Sequence, residues 1–218
     1  MTLTEQSTIQ SVIPVAGVIA TFAAVVVALF GDWLRGRLFR PKLVLSLKDI
    51  SGTYTPIEAT KPGGETLKRM SRWYHVVVSN QRRLSPATDV QVLLLRVEEP
   101  DGLNQFAVKW NGELPLPWRQ GSLYPMLRSV TYPIEADLFY VLENEYMELC
   151  TVIQAFALQN RKKPPVKLRL TLQAKSSEVD SNLLHVTLGW NGNWVEDQIQ
   201  MQSHLTIMAE SSKEEDYR

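Results

Sequence analysis

The residues with chemistry to offer are few and widely spaced. Three histidines, His75, His185 and His204, each fall within or at the start of a segment that reads as a strand. Three strands can converge such residues on a metal. Taken one at a time they are separate strand residues, and that reading is preferred. Glu98, Glu99 and Asp101 offer carboxylates, but their spacing matches no calcium loop, so a solvated acidic turn is expected. Cys150 lies beside Leu149 in an apolar stretch and reads as core. One cysteine can form neither an intrachain disulfide nor a thiolate metal site, and it points to a reducing compartment. The signatures of phosphate loops, dinucleotide-binding turns, nucleophile elbows and zinc proteases do not occur. With no acid–base or nucleophilic constellation, the expectation is a non-enzymatic protein without cofactor or metal.

The cationic residues say more. Lys68-Arg69 with Arg72, Arg82-Arg83, and Arg161-Lys162-Lys163 form three clusters. Such clusters meet anionic lipid, phosphate ligands or acidic partners, or are merely solvated loop charges. Lys+Arg and Asp+Glu are both 23, for a net charge of zero. That balance argues against a nucleic-acid partner, whose binder would carry a net basic face. Most of the six tryptophans are expected in the core and hairpins; Trp118, after Pro115 and Pro117, is the one expected at the surface.

What must position these residues begins with Val12–Phe30, VIPVAGVIATFAAVVVALF, in a stretch with no charged side chain between Glu5 and Asp32. At ~1.5 Å per residue it roughly matches a ~30 Å hydrocarbon core, so one membrane-spanning helix is expected. The preceding residues 1–11 carry only Glu5, and no small-x-small cleavage site precedes Gly31, which favours an uncleaved anchor over a signal peptide. Trp33, Arg35, Arg37, Arg40 and Lys42 follow the span. The positive-inside rule then puts the N-terminus outside and the C-terminal domain in the cytoplasm, across a basic linker over 31–41. Ala16, Ala20, Ala24 and Ala28 recur at spacing four. On a helix they form a small-residue stripe that suits close helix packing, and hence a homo-oligomer.

Beyond the linker, residues 42–208 read as strands. Leu43, Leu45 and Leu47 alternate with Val44, Ser46 and Lys48, and Val166–Lys175 alternates in the same way. Further strands are expected over Arg72–Ser79, Asp89–Glu98, Gln105–Trp110, Asp137–Leu142, Tyr146–Ile153, Leu184–Trp190, Val195–Gln200 and His204–Met208. Ser51–Lys68, with its glycines and prolines, reads as a long loop, and Asn111-Gly112 as a turn. Leu114–Trp118 cannot be a central strand, because each proline removes a ladder donor. Residues 209–218 read as a disordered charged tail. About nine or ten strands and no soluble helix give an all-β fold, an antiparallel β-sandwich behind one transmembrane α-helix. In such a fold successive loops alternate between two ends, which groups Arg82, Arg83 and Trp118 with Lys42 at the membrane-proximal end.

The stretch His75–Glu98 has valines, then Asn80, a polar loop, Pro86-Ala87, and Asp89-Val90-x-Val92-x-Leu94. It resembles the strand–turn–strand pattern of bacterial immunoglobulin-like domains of the CARDB type. The whole chain is similar in layout to uncharacterised bacterial single-pass membrane proteins. The resemblance implies an immunoglobulin-like binding or spacer module. The expected function is a membrane-anchored interaction or sensor module that presents its sandwich to the cytoplasm and binds a protein or small molecule. The alternative is a ligand-triggered membrane effector that oligomerises through its span.

Overall fold

The computed structural model describes residues 40–60, 66–83, 85–119, 127–155 and 158–212, with Thr21, Ala24, Val25 and Phe30. Those four are helical; the rest of the expected span lies outside the described residues, as do Ala16, Ala20, Ala28, Trp33, Arg35 and Arg37. Among the described residues no helix is long and apolar enough to cross a membrane. The chain divides into two compact units, Met1–Arg40 and Pro41–Arg218.

The second unit is an antiparallel β-sandwich of two six-stranded sheets. One sheet contains β1 (Leu43–Leu47), β2 (Thr53–Thr60), β3 (Thr66–Asn80), β7 (Ile134–Leu142), β8 (Met147–Leu149) and β9 (Arg161–Lys162), in the order β1-β3-β7-β8-β9. β2 shares an edge of β3 with β1: β1 takes Val76–Asn80 and β2 takes Thr66–Trp73. The other sheet contains β4 (Ala87–Pro100), β5 (Phe106–Pro115), β6 (Arg128–Val130), β10 (Val166–Lys175), β11 (Leu183–Trp190) and β12 (Leu205–Ser212). Its order is β12-β11-β10-β4-β5, with β6 on the start of β4.

Alternation explains the inner faces. Leu168, Leu170, Leu172 and Ala174 of β10 point inward beside Leu184, Val186, Leu188 and Trp190 of β11, and all are buried. Leu43 and Leu45, Val76 and Val78, and Leu138 and Val141 bring the first sheet into the same apolar cluster. Each large side chain so buried contributes roughly 1.5–3 kcal/mol.

Four sequence expectations give way. Ser51–Lys68 is not all loop: Thr53–Thr60 forms β2 and pairs with the first half of β3, and Pro56 is tolerated because β2 lies at the sheet's margin. Asn111-Gly112 does not turn the chain; β5 runs through it, and a register shift opposite Leu94–Arg96 absorbs the irregularity. Where a strand was expected over Val195–Gln200, a short helix α1 (Gln198–His204) forms, its first turn capped by the Asp197 side chain, which accepts from the Ile199 and Gln200 N–H groups. The tail is strand as far as Ser212.

Leu114–Trp118 lies on the core, and it does more. The Leu116 N–H donates to the Val92 carbonyl of β4, and the Pro117 carbonyl accepts from the Asp137 N–H of β7, both at 2.9 Å. A single extended segment therefore stitches the two sheets together along one flank.

Candidate functional site

The residues expected at the membrane-proximal end of the sandwich are gathered by Asn80. This side chain is buried at the end of β3. Its Oδ1 accepts from the Lys42 N–H (3.1 Å) and the Arg82 N–H (3.0 Å), and its Nδ2 donates to the carbonyls of Ser85 (2.6 Å) and Val130 (3.2 Å). The Gln81 N–H donates to the Lys42 carbonyl at 2.9 Å. One amide thus fixes the first residues of the unit, the Arg82-Arg83 turn and the end of β6. Lys42, Arg82 and Arg83 are all exposed there, side by side. Ala87, at the far side of the same turn, is fully buried.

Trp118 does not join them. It is 4% exposed and pairs with Ala136 inside the sandwich. The flanking prolines do exclude a ladder, but alternation along Leu114, Leu116 and Trp118 turns all three inward. The aromatic at this end is Tyr132, 69% exposed, in the turn from β6 to β7 that the Asn80–Val130 hydrogen bond holds in place. Its position just before Pro133 is the signal for a turn.

The acidic group lies at the opposite end of β4. Asp101 builds the β4–β5 turn, its Oδ1 accepting from the N–H groups of Leu103 and Gln105, each at 2.9 Å. Glu99 pairs with Lys162 at 2.6 Å. The third basic cluster is accordingly partly neutralised: Arg161 Nε donates to Glu148 at 2.8 Å, and its guanidinium lies 4.8 Å over the Tyr146 ring. In the first cluster Lys68 pairs with Glu58 at 3.4 Å, Arg69 with Glu145, and Arg72 is buried.

The histidines are not brought together. His75 Nδ1 lies 2.9 Å from Asp137 in the first sheet, His185 lies on β11 against Thr171 and Ser212, and His204 ends α1 against Asn191. Burial lowers the pKa of His185 below the ordinary imidazole value. Cys150 is half-buried, its N–H bonded to the Leu138 carbonyl at 2.9 Å.

Comparison of the chain with protein-family models, curated proteins and solved structures finds no match. Function is therefore legible only from the molecule's own surface.

Proposed function

We propose that this chain is a non-enzymatic, single-pass membrane-anchored interaction or sensor module whose sandwich faces the cytoplasm. The observation that carries the reading is the company kept by Lys42. The apolar segment Val12–Phe30 stands just upstream of it in the sequence. Arg82, Arg83 and the exposed ring of Tyr132 share its end of the sandwich, while Glu99 and Asp101 lie at the other. Basic side chains near an anionic leaflet contribute ~1 kcal/mol each, and tyrosine suits the headgroup region. The buried Asn80 and Ala87, which bracket the passage from one sheet to the other, support the immunoglobulin-like comparison. A spacer or binding role, rather than catalysis, follows from that likeness.

The test is vesicle binding by a protein beginning at Pro41. Arg82→Glu with Arg83→Glu should weaken its flotation with anionic vesicles, and Tyr132→Ser should weaken it further. Lys68→Glu with Arg69→Glu, on β3, should leave it unchanged. Equal losses from both pairs would reject docking through this end. For orientation, a reporter enzyme active only outside the cytoplasm, fused after Arg218, should be silent.

A further inference from the structure

We propose that the cleft beside β9 binds a small ligand carrying both a phosphate and free hydroxyls, the chemistry of a sugar phosphate. The cleft measures about 1020 Å³, at the upper end of the usual size for small-molecule sites. Asn160 lines it while only 8% exposed. Its Nδ2 donates to Thr151 Oγ1 at 2.7 Å, whereas its Oδ1 is buried with no hydrogen-bond partner. An unmet buried acceptor costs about 1–3 kcal/mol, so a hydroxyl donated to Oδ1 has a ready return.

The walls are preorganised. The Glu99–Lys162 pair joins the end of β4 to β9 at 2.6 Å. Glu148 is held from two sides, by Arg161 and by the Tyr140 hydroxyl. Arg161 spends only Nε on this pair, and its terminal nitrogens donate no hydrogen bond to the described residues. Lys163 is exposed beside it and has no ion-pair partner among the described residues. Two carboxylates and an amide oxygen can receive hydroxyls, and the free donors of Arg161 together with Lys163 can receive an anion. A neutral sugar leaves the cations unused. Bare phosphate, with at most two hydroxyls at neutral pH, leaves most of the hydroxyl acceptors unmet.

The inference deepens the binding-module reading and rests on it in one respect, that the sandwich binds a ligand rather than serving as a spacer. Calorimetry on the full-length protein in neutral detergent micelles tests it, with ribose 5-phosphate, ribose and inorganic phosphate as probes. Ribose 5-phosphate should bind at least about ten-fold more tightly than either half. Lys163→Ala should weaken ribose 5-phosphate and inorganic phosphate alike, by about ten-fold. Asn160→Leu should weaken ribose 5-phosphate and ribose more than inorganic phosphate, with circular dichroism confirming its fold. Lys68→Ala, on β3, should change nothing. No heat from ribose 5-phosphate at millimolar concentration, equal affinity for inorganic phosphate, or indifference to Lys163→Ala would each overturn the proposal. Because micelles carry no anionic headgroups, failure here is distinct from failure of vesicle docking.

Discussion

The side-chain amide of Asn182 pairs with the backbone of Leu45 as a strand would. Its Nδ2 donates to the Leu45 carbonyl and its Oδ1 accepts from the Leu45 N–H, both at 2.9 Å. The amide thereby blunts the open edge of β1 and closes the flank opposite the Leu116–Pro117 stitch. Asn182→Ala leaves two backbone groups of a 1%-exposed residue without partners. The expected loss is about 2–6 kcal/mol, taking about 1–3 kcal/mol for each orphaned group. Urea unfolding should show a lower midpoint with an unchanged slope, and Asn182→Asp, which keeps the acceptor but loses the donor, should fall between.

Arg72 binds three segments into one. It is 2% exposed; Nη1 donates to the Ser51 carbonyl at 2.9 Å and Nη2 to the Glu196 carbonyl at 2.6 Å. The rings of Tyr54 and Trp194 each lie 5.9 Å from the guanidinium carbon. Lysine offers no fork to span both carbonyls. Arg72→Lys should cost about 2–3 kcal/mol, the worth of one charged hydrogen bond with some packing, read as a fall in Tm. Gly52, at φ +69°, leaves no room above this arginine: an added Cβ would sit 2.8 Å from Arg72 Cγ and from the Tyr74 ring. Gly52→Ala should therefore lower Tm as well, through strain and clash together.

Stability should fall in two steps on acidification. Burial lowers the pKa of His185, so the unfolded chain takes up its proton first, and stability declines as pH drops below 6.5. Burial would raise Glu135, but its ion pairs with Lys48 and Arg119 outweigh this and hold it below the ordinary carboxylate value. Its contribution is complete above 4.5 and is lost as pH falls through the depressed value. Urea midpoints at several pH values should lose the upper step in His185→Gln and show a shallower lower step in Glu135→Gln.

Cys150 should be unreactive in the folded protein. Burial pushes its thiol well above the usual range, and the charges of Asp137 and Glu148 push the same way. A thiol reagent at neutral pH should label it slowly, with the rate rising sharply across the urea transition. Fast labelling in native buffer would contradict this burial.

Strands with one wet and one dry face were legible, because period-two alternation survives wherever one face is solvated; β1, β10 and β11 are cases. The pairing of β2 with β3 was hidden by Pro56, Pro62, Gly63 and Gly64, residues that signal loop; a strand at the sheet's margin tolerates Pro56, and the other three lie outside the described residues. Helix α1 was hidden by length: seven residues display too little of a helical period. At the candidate site, placing Arg82 and Arg83 beside Lys42 needed only strand alternation. Choosing Tyr132 over Trp118 needed the burial of a segment that crosses between sheets. The cleft could not be foreseen, since Glu99, Glu148 and Arg161 meet only through tertiary pairing.

The Asn182–Leu45 pairing also sets an order of events during synthesis. The two residues stand 137 positions apart, so β1 leaves the ribosome long before the side chain that seals its edge. Contacts of such separation form late and slowly. Through that interval the nascent chain carries an open strand edge, the kind of template on which copies of a chain adhere to one another. Exposed Ser46 on this short strand and Lys48 just beyond it are polar features of the kind that blunt such an edge.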